Sequence, residues 1–108
     1  MVNNTNNIDD EEILVRIDRD LEDLIPGYIE NRYKDIKSII NSLEIDDYET
    51  IRVLGHSMKG SGGGYGFDKI TEIGKLIEQA AKDKNREVIK RQVEDLSIYI
   101  KKVEIIYE

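Results

Sequence analysis

The sequence of 108 residues has no cysteine and no tryptophan, and it has one proline, one phenylalanine and one histidine. Without cysteine there are no disulfides, no thiol nucleophile and no thiolate metal site. A single histidine removes paired-histidine metal centres, and it weakens a Ser/His/Asp triad because no supporting pattern accompanies it. Apolar runs reach two or three residues at most, so no segment is long enough to span a bilayer, and the polar, acidic start does not read as a signal peptide. The compartment expected from these absences is the cytoplasm.

Charge of one sign dominates: 23 acidic residues against 16 basic ones give a net charge of -7. The basic residues are interleaved with acids and form no block, which argues against nucleic acid or an anionic membrane surface as a partner. The length suits one domain with a modest core. Residues 1–12 have almost nothing to bury and are expected to form a mobile tail, with the folded domain over 13–108.

Next comes "ILVRID", in which Ile13, Val15 and Ile17 alternate like a strand, while Ile17, Leu21 and Leu24 also fit a helix capped by Asp18. An extended segment followed by a short helix is the expectation. Pro26 suits the first turn of a helix, and Ile29, Tyr33, Ile36, Ile40 and Leu43 recur at spacings of three and four, predicting one core-facing stripe. Asp46, with Glu49 three residues on, predicts a capping box for a second helix running through Ile51, Leu54 and Met58. Asp68 predicts the cap of a third, with Ile70, Ile73, Ile77 and Ala80 inward. The last segment puts Ile89, Val93, Leu96, Ile100, Val103 and Tyr107 on one helical stripe. No strand pattern is strong enough to suggest a sheet. Four amphipathic helices joined by short connections predict an all-α, antiparallel up-and-down four-helix bundle with an extra short N-terminal segment or helix.

The one compositional oddity is "LGHSMKGSGGGYGF", where the sole histidine stands beside five glycines within residues 60–66. A Walker-type phosphate loop requires Lys after the last Gly, whereas Lys59 precedes Gly60, and the dinucleotide fingerprint fails in every frame. A hinge is no better, because the flanking pieces are too small to fold alone. On a helical wheel Arg52, Lys59, Gly60 and Gly63 fall on the side of His56, and Ile51, Leu54, Met58 and Tyr65 on the other. His56 is therefore expected to face solvent beside residues that shield nothing. A neutral imidazole there has a nitrogen lone pair free to attack, Lys59 could pair with phosphoryl oxygens, and Gly60 and Gly63 would let a partner's backbone approach. Gly62 and Gly64 are expected at close helix contacts, and Gly66 at a left-handed helix end.

The pattern His56-x-x-Lys59-Gly60 with Gly66 following resembles the signature of histidine-containing phosphotransfer domains of bacterial phosphorelays. The helix begun by Pro26 and the segment "FDKITEIGKLIEQAA" look like the same family, so the resemblance extends from about Pro26 to the C-terminus. It departs at 62–64, where many members have alanine or another small apolar residue. The resemblance implies a four-helix bundle whose exposed histidine takes a phosphoryl group from a receiver-domain aspartyl phosphate, or from a kinase, and passes it to another receiver. His56 would be the phosphorylated residue, Lys59 the assisting charge and Gly60 the space for the partner, with Arg52 and Gly63 in partner contact. It implies no kinase activity and no cofactor of its own, since Mg²⁺ belongs to the receiver of a response regulator or hybrid histidine kinase. Neither nucleic acid nor membrane is expected as a partner, and a monomer satisfies one apolar stripe per helix. The competing readings are a non-catalytic receiver-binding adaptor and, more remotely, a phosphate- or nucleotide-binding protein using the glycine cluster as an anion nest.

Overall fold

The computed structural model describes residues 12–108, so the expected tail lies, apart from Glu12, outside the described residues. In chain order the described elements are strand β1 (Ile13–Ile17), a 3₁₀ turn (Arg19–Leu21), helices α1 (Ile25–Glu44) and α2 (Tyr48–Ser61), a second 3₁₀ turn (Gly63–Tyr65), helices α3 (Asp68–Lys82) and α4 (Arg86–Lys102), and strand β2 (Val103–Tyr107). The protein is mostly helical. Each helix packs on its neighbours in the chain, and α1 also meets α4, so the four enclose one core.

Helices α3 and α4 follow their sequence patterns. Ile70, Ile73, Ile77 and Ala80 are all buried, as are Ile89, Val93, Leu96 and Ile100. Burying an isoleucine or leucine side chain contributes roughly 1.5–3 kcal/mol each, which is why these stripes outweigh the modest helix propensity of β-branched residues. Asn85 caps α4 by accepting from the Val88 amide.

The stripe expected on α1 is turned by about one residue. Ile25, Tyr28, Arg32, Ile39, Ser42 and Leu43 are the buried positions, Ile29 and Ile36 are partly buried, and Tyr33 and Ile40 are exposed. The cause is Arg32, whose guanidinium lies 4.2 Å over the Tyr28 ring and whose Nε is 2.9 Å from Asp35 Oδ2. A long amphipathic stem and a stacked, paired head group let an arginine take an inward place that a hydropathy pattern gives to isoleucine. Tyr28 in turn stacks on Tyr65 at 4.3 Å and on Phe67 at 5.8 Å, and its hydroxyl is 2.9 Å from Ser61 Oγ. The start of α1 is thus fastened to the end of α2.

Two caps are shifted by one residue from their expected places. Asp46 adopts a left-handed backbone (φ 56) and pairs with Arg86, while Asp47 caps α2 through the Thr50 amide and hydroxyl. Glu49 does not complete a capping box; it binds Arg52. Likewise Asp68 lies in the first turn of α3, whose N-cap is Phe67.

The largest difference from the sequence reading is a parallel two-stranded sheet, in which Ile13 faces Val103 and Ile17 faces Tyr107. Val103 and Tyr107 therefore belong to a strand and not to the last helix. "VEIIY" is rich in β-branched and aromatic residues, and its three-four spacing with the preceding helix hid an equally good alternation. The extended segment at β1 and the short turn capped by Asp18 agree with expectation.

Candidate functional site

Where α2 and α3 cross, both carry a glycine. A Cβ at Gly55 would come within 2.6 Å of the Glu78 amide nitrogen, and one at Gly74 within 2.5 Å of the Lys59 amide nitrogen. Any side chain would force the helices apart. The contact sets the backbone of Glu78 directly beside α2 at Gly55, the residue immediately before the outward-facing His56.

The side chain of His56 is 64% exposed, and its Nδ1 lies 2.9 Å from Glu78 Oε2. The other carboxylate oxygen, Oε1, is 2.7 Å from Lys59 Nζ. Glu78 is itself buried, with its side chain 9% exposed, so one carboxylate holds both residues from beneath. The hydrogen bond from Lys59 is the main reason that Glu78 is held down to about 2; the bond with His56 and the charges of both add to it, against the desolvation that opposes ionisation. An ionised carboxylate can only accept. Nδ1 of a neutral His56 must therefore carry the proton, and the lone pair lies on Nε2, which has no hydrogen-bond partner among the described residues.

Around this triad the sequence-derived residues divide. Ile51 and Met58 are buried and Leu54 is partly buried, as the wheel requires for an outward His56. Gly60 lies one turn beyond His56 on α2, and a Cβ there would meet nothing within 4 Å. Arg52 lies one turn before it, with its guanidinium engaged by Glu49 at 2.6 Å. Gly63 does not continue that face, because α2 ends at Ser61 and Gly63 starts a 3₁₀ turn whose amide donates to Thr71 Oγ1 at 2.8 Å. Thr71 donates in turn to the Lys59 carbonyl, which ties the end of α2 to α3. Gly62 fits a close contact, since a Cβ there would meet the Thr71 amide at 2.6 Å, whereas Gly64 is open. Gly66 is left-handed (φ 95), as expected of a glycine closing this turn.

A buried acid supporting His56 was absent from the sequence reading. Glu78 is 22 residues away, on another helix, and its place on the polar edge of the α3 stripe looks like that of any solvated glutamate. The usable signal is the pair Gly55 and Gly74, small residues interrupting two apolar stripes, which marks the crossing that delivers Glu78.

The family model for the Hpt domain matches residues 11–104. The chain belongs to the Hpt-domain family. Hpt domains serve histidine phosphotransfer in two-component signalling, working with receiver domains of response regulators or kinases, and as a class they are phosphotransfer modules more than enzymes. No curated protein and no solved structure matches the chain. Among the described residues of this Hpt domain no helix is long and apolar enough to cross a membrane, and no group of three His, Asp or Glu side chains could hold a metal ion.

Proposed function

We propose that His56 of this Hpt domain accepts a phosphoryl group from an aspartyl phosphate on a receiver domain, or from a kinase, and passes it to another receiver. The observation that carries this reading is the Glu78 hydrogen bond to Nδ1, which leaves the nucleophilic lone pair on the exposed Nε2. In the transfer Nε2 forms a bond to phosphorus as the bond from phosphorus to the aspartyl oxygen breaks, and the electron pair leaves with the aspartate carboxylate. The imidazole gains positive charge, which Glu78 offsets at Nδ1–H without taking the proton. Lys59 then pairs with the phosphoryl oxygens. Open space over Gly60 allows the partner's backbone to bring the reacting atoms within about 3–3.5 Å. Arg52, and less directly Gly63, border the partner's approach. The domain supplies no kinase activity and no cofactor; Mg²⁺ is a property of the receiver. The same reading takes the helices as an antiparallel up-and-down bundle, supported by the short connections 45–47, 62–67 and 83–85, and the protein as cytoplasmic, in keeping with a receiver as partner.

An adaptor that binds receivers without turnover would have no use for a tautomer-fixing acid. An anion nest at the glycines is disfavoured because the amides of Gly62, Gly63, Tyr65, Gly66 and Phe67 already donate within the chain. Incubation with phosphoramidate or a phosphorylated receiver is expected to leave an acid-labile, base-stable phosphoryl group on the wild type and none on His56→Gln. Equal labelling of the two proteins, or none of either, overturns the proposal.

A further inference from the structure

The small sheet is an unusual object for its surroundings. Parallel strands are ordinarily found in larger sheets covered on both faces, and two strands alone are marginal in water. Here the outward face of β1 carries Leu14, 61% exposed, and Ile13, Ile98 and Ile106 nearby are exposed as well. Nothing among the described residues covers the free edge of β1. An open groove runs along it, with β1 as one wall and Gly66, Asp68, Lys69 and Tyr99 as the other. Such an edge presents unpaired amides and carbonyls to any strand that can reach it.

The charges on this strand select the occupant. Glu12 and Glu104 are neighbouring carboxylates at one end of the outward face, with Glu104 pushed up by the closeness of Glu12, and neither has an ion-pair partner among the described residues. Arg16 stands at the other end of β1, where its guanidinium meets Glu108 Oε2 at 3.2 Å in an exposed pair, one that is worth little and leaves the guanidinium open to a second carboxylate. In an antiparallel pair related by a two-fold axis through Leu14, each Glu12 faces the other copy's Arg16, and Leu14 faces its own equivalent. Shifting the axis to Val15 would instead set Glu12 against Asp18. The free edge of β2 is worse suited, since centring a pair on Ile106 opposes Glu104 to Glu108, and centring it on Glu104 opposes that residue to itself.

We infer that the free edge of β1 is a self-interaction surface, where a second copy of this chain adds its own β1 antiparallel in the register centred on Leu14, making the four-stranded sheet β2-β1-β1-β2. The partner fills the groove, covers Leu14 and sets a guanidinium, shared with Glu108, opposite Glu12. A five-residue edge buries less than a standard interface, so the dimer is weak and depends on concentration. This inference stands apart from the phosphotransfer reading, because Lys69 and Glu78 are separated by about 14 Å along α3.

Sedimentation equilibrium of the full chain from micromolar to millimolar concentration tests it. The wild type is expected to rise toward twice the monomer mass. Glu12→Arg and Arg16→Glu, checked for folding by circular dichroism, should each self-associate roughly tenfold more weakly or worse, because symmetry applies each reversal twice. Mixed in equal amounts, the two variants should recover wild-type association, since every cross-strand pair is then of opposite sign. A wild type that stays monomeric throughout, single variants that associate as well as wild type, or a mixture no tighter than its components would each overturn the inference.

Discussion

Glu78 has two carboxylate oxygens, and one goes to each of the residues that carry the proposed chemistry. Its charge does two things that a neutral isostere does only incompletely: it accepts from Nδ1 without ambiguity, and it keeps the Lys59 ammonium beside the imidazole. Glutamine in its place could present either its oxygen or its amide group to Nδ1, so both tautomers of His56 would be populated. Glu78→Gln is accordingly expected to slow phosphorylation by phosphoramidate by roughly ten- to a hundredfold, the usual range for groups that orient a reactive side chain. A readout that a purely structural role would not move is the ¹⁵N spectrum of the His56 ring. It should change from one tautomer in the wild type to a mixture in the variant; an unchanged spectrum would remove Glu78 from this role.

At the scale of elements, the crossing of α2 and α3 makes opposite demands on glycines that look alike in the sequence. Gly74→Ala puts a methyl group against backbone atoms of Lys59 and Gly55, so the helices must separate, at a cost of roughly 1–3 kcal/mol. Gly60→Ala meets nothing and restores helix propensity, so it should be neutral or on the order of 0.5 kcal/mol stabilising. Urea denaturation of the two variants beside wild type checks the contrast. These elements also mark what was legible in the sequence. The stripes of α3 and α4 were readable because the aliphatic residues that set their spacing, Ile70, Ile73, Ile77 and Ala80 and then Ile89, Val93, Leu96 and Ile100, are the ones buried. The stripe of α1 was not, because a paired arginine over a tyrosine ring is inward-facing chemistry that hydropathy counts as outward. The exposed face of α2 was readable from a local wheel, but its supporting acid depends on a contact between two helices, which no local period encodes. The second strand was hidden because alternation and helical spacing coincide over so short a stretch.

For the whole molecule, the acid side of the stability profile follows from the same carboxylate. A group whose folded value is lowered contributes stability above its ordinary value of 4.5 and loses it as pH falls toward its folded value, about 2 for Glu78. Asp47, held down by Thr50, and Glu49, held down by Arg52, act with the same sign. Asp35 and Glu104 are raised, so protonation relieves a penalty at those two positions. Unfolding free energy is therefore expected to fall between pH 4.5 and about 2, and to fall less steeply in Glu78→Gln. Chemical denaturation across that range measures the slopes, and identical slopes in the two proteins would show that Glu78 is not the group responsible.

The parallel sheet has a mechanical consequence. Because β1 and β2 run the same way, the chain enters the pair at Ile13 and leaves it after Tyr107 at the opposite end. Tension applied through the two flanks would pull the strands past each other along their length, and would share the load among all their hydrogen bonds at once. An antiparallel pair pulled from adjacent ends would instead unzip, its hydrogen bonds breaking in succession. Five residues of parallel strand thus act as a shear clamp, closing the helical core against forces transmitted along the backbone on either side.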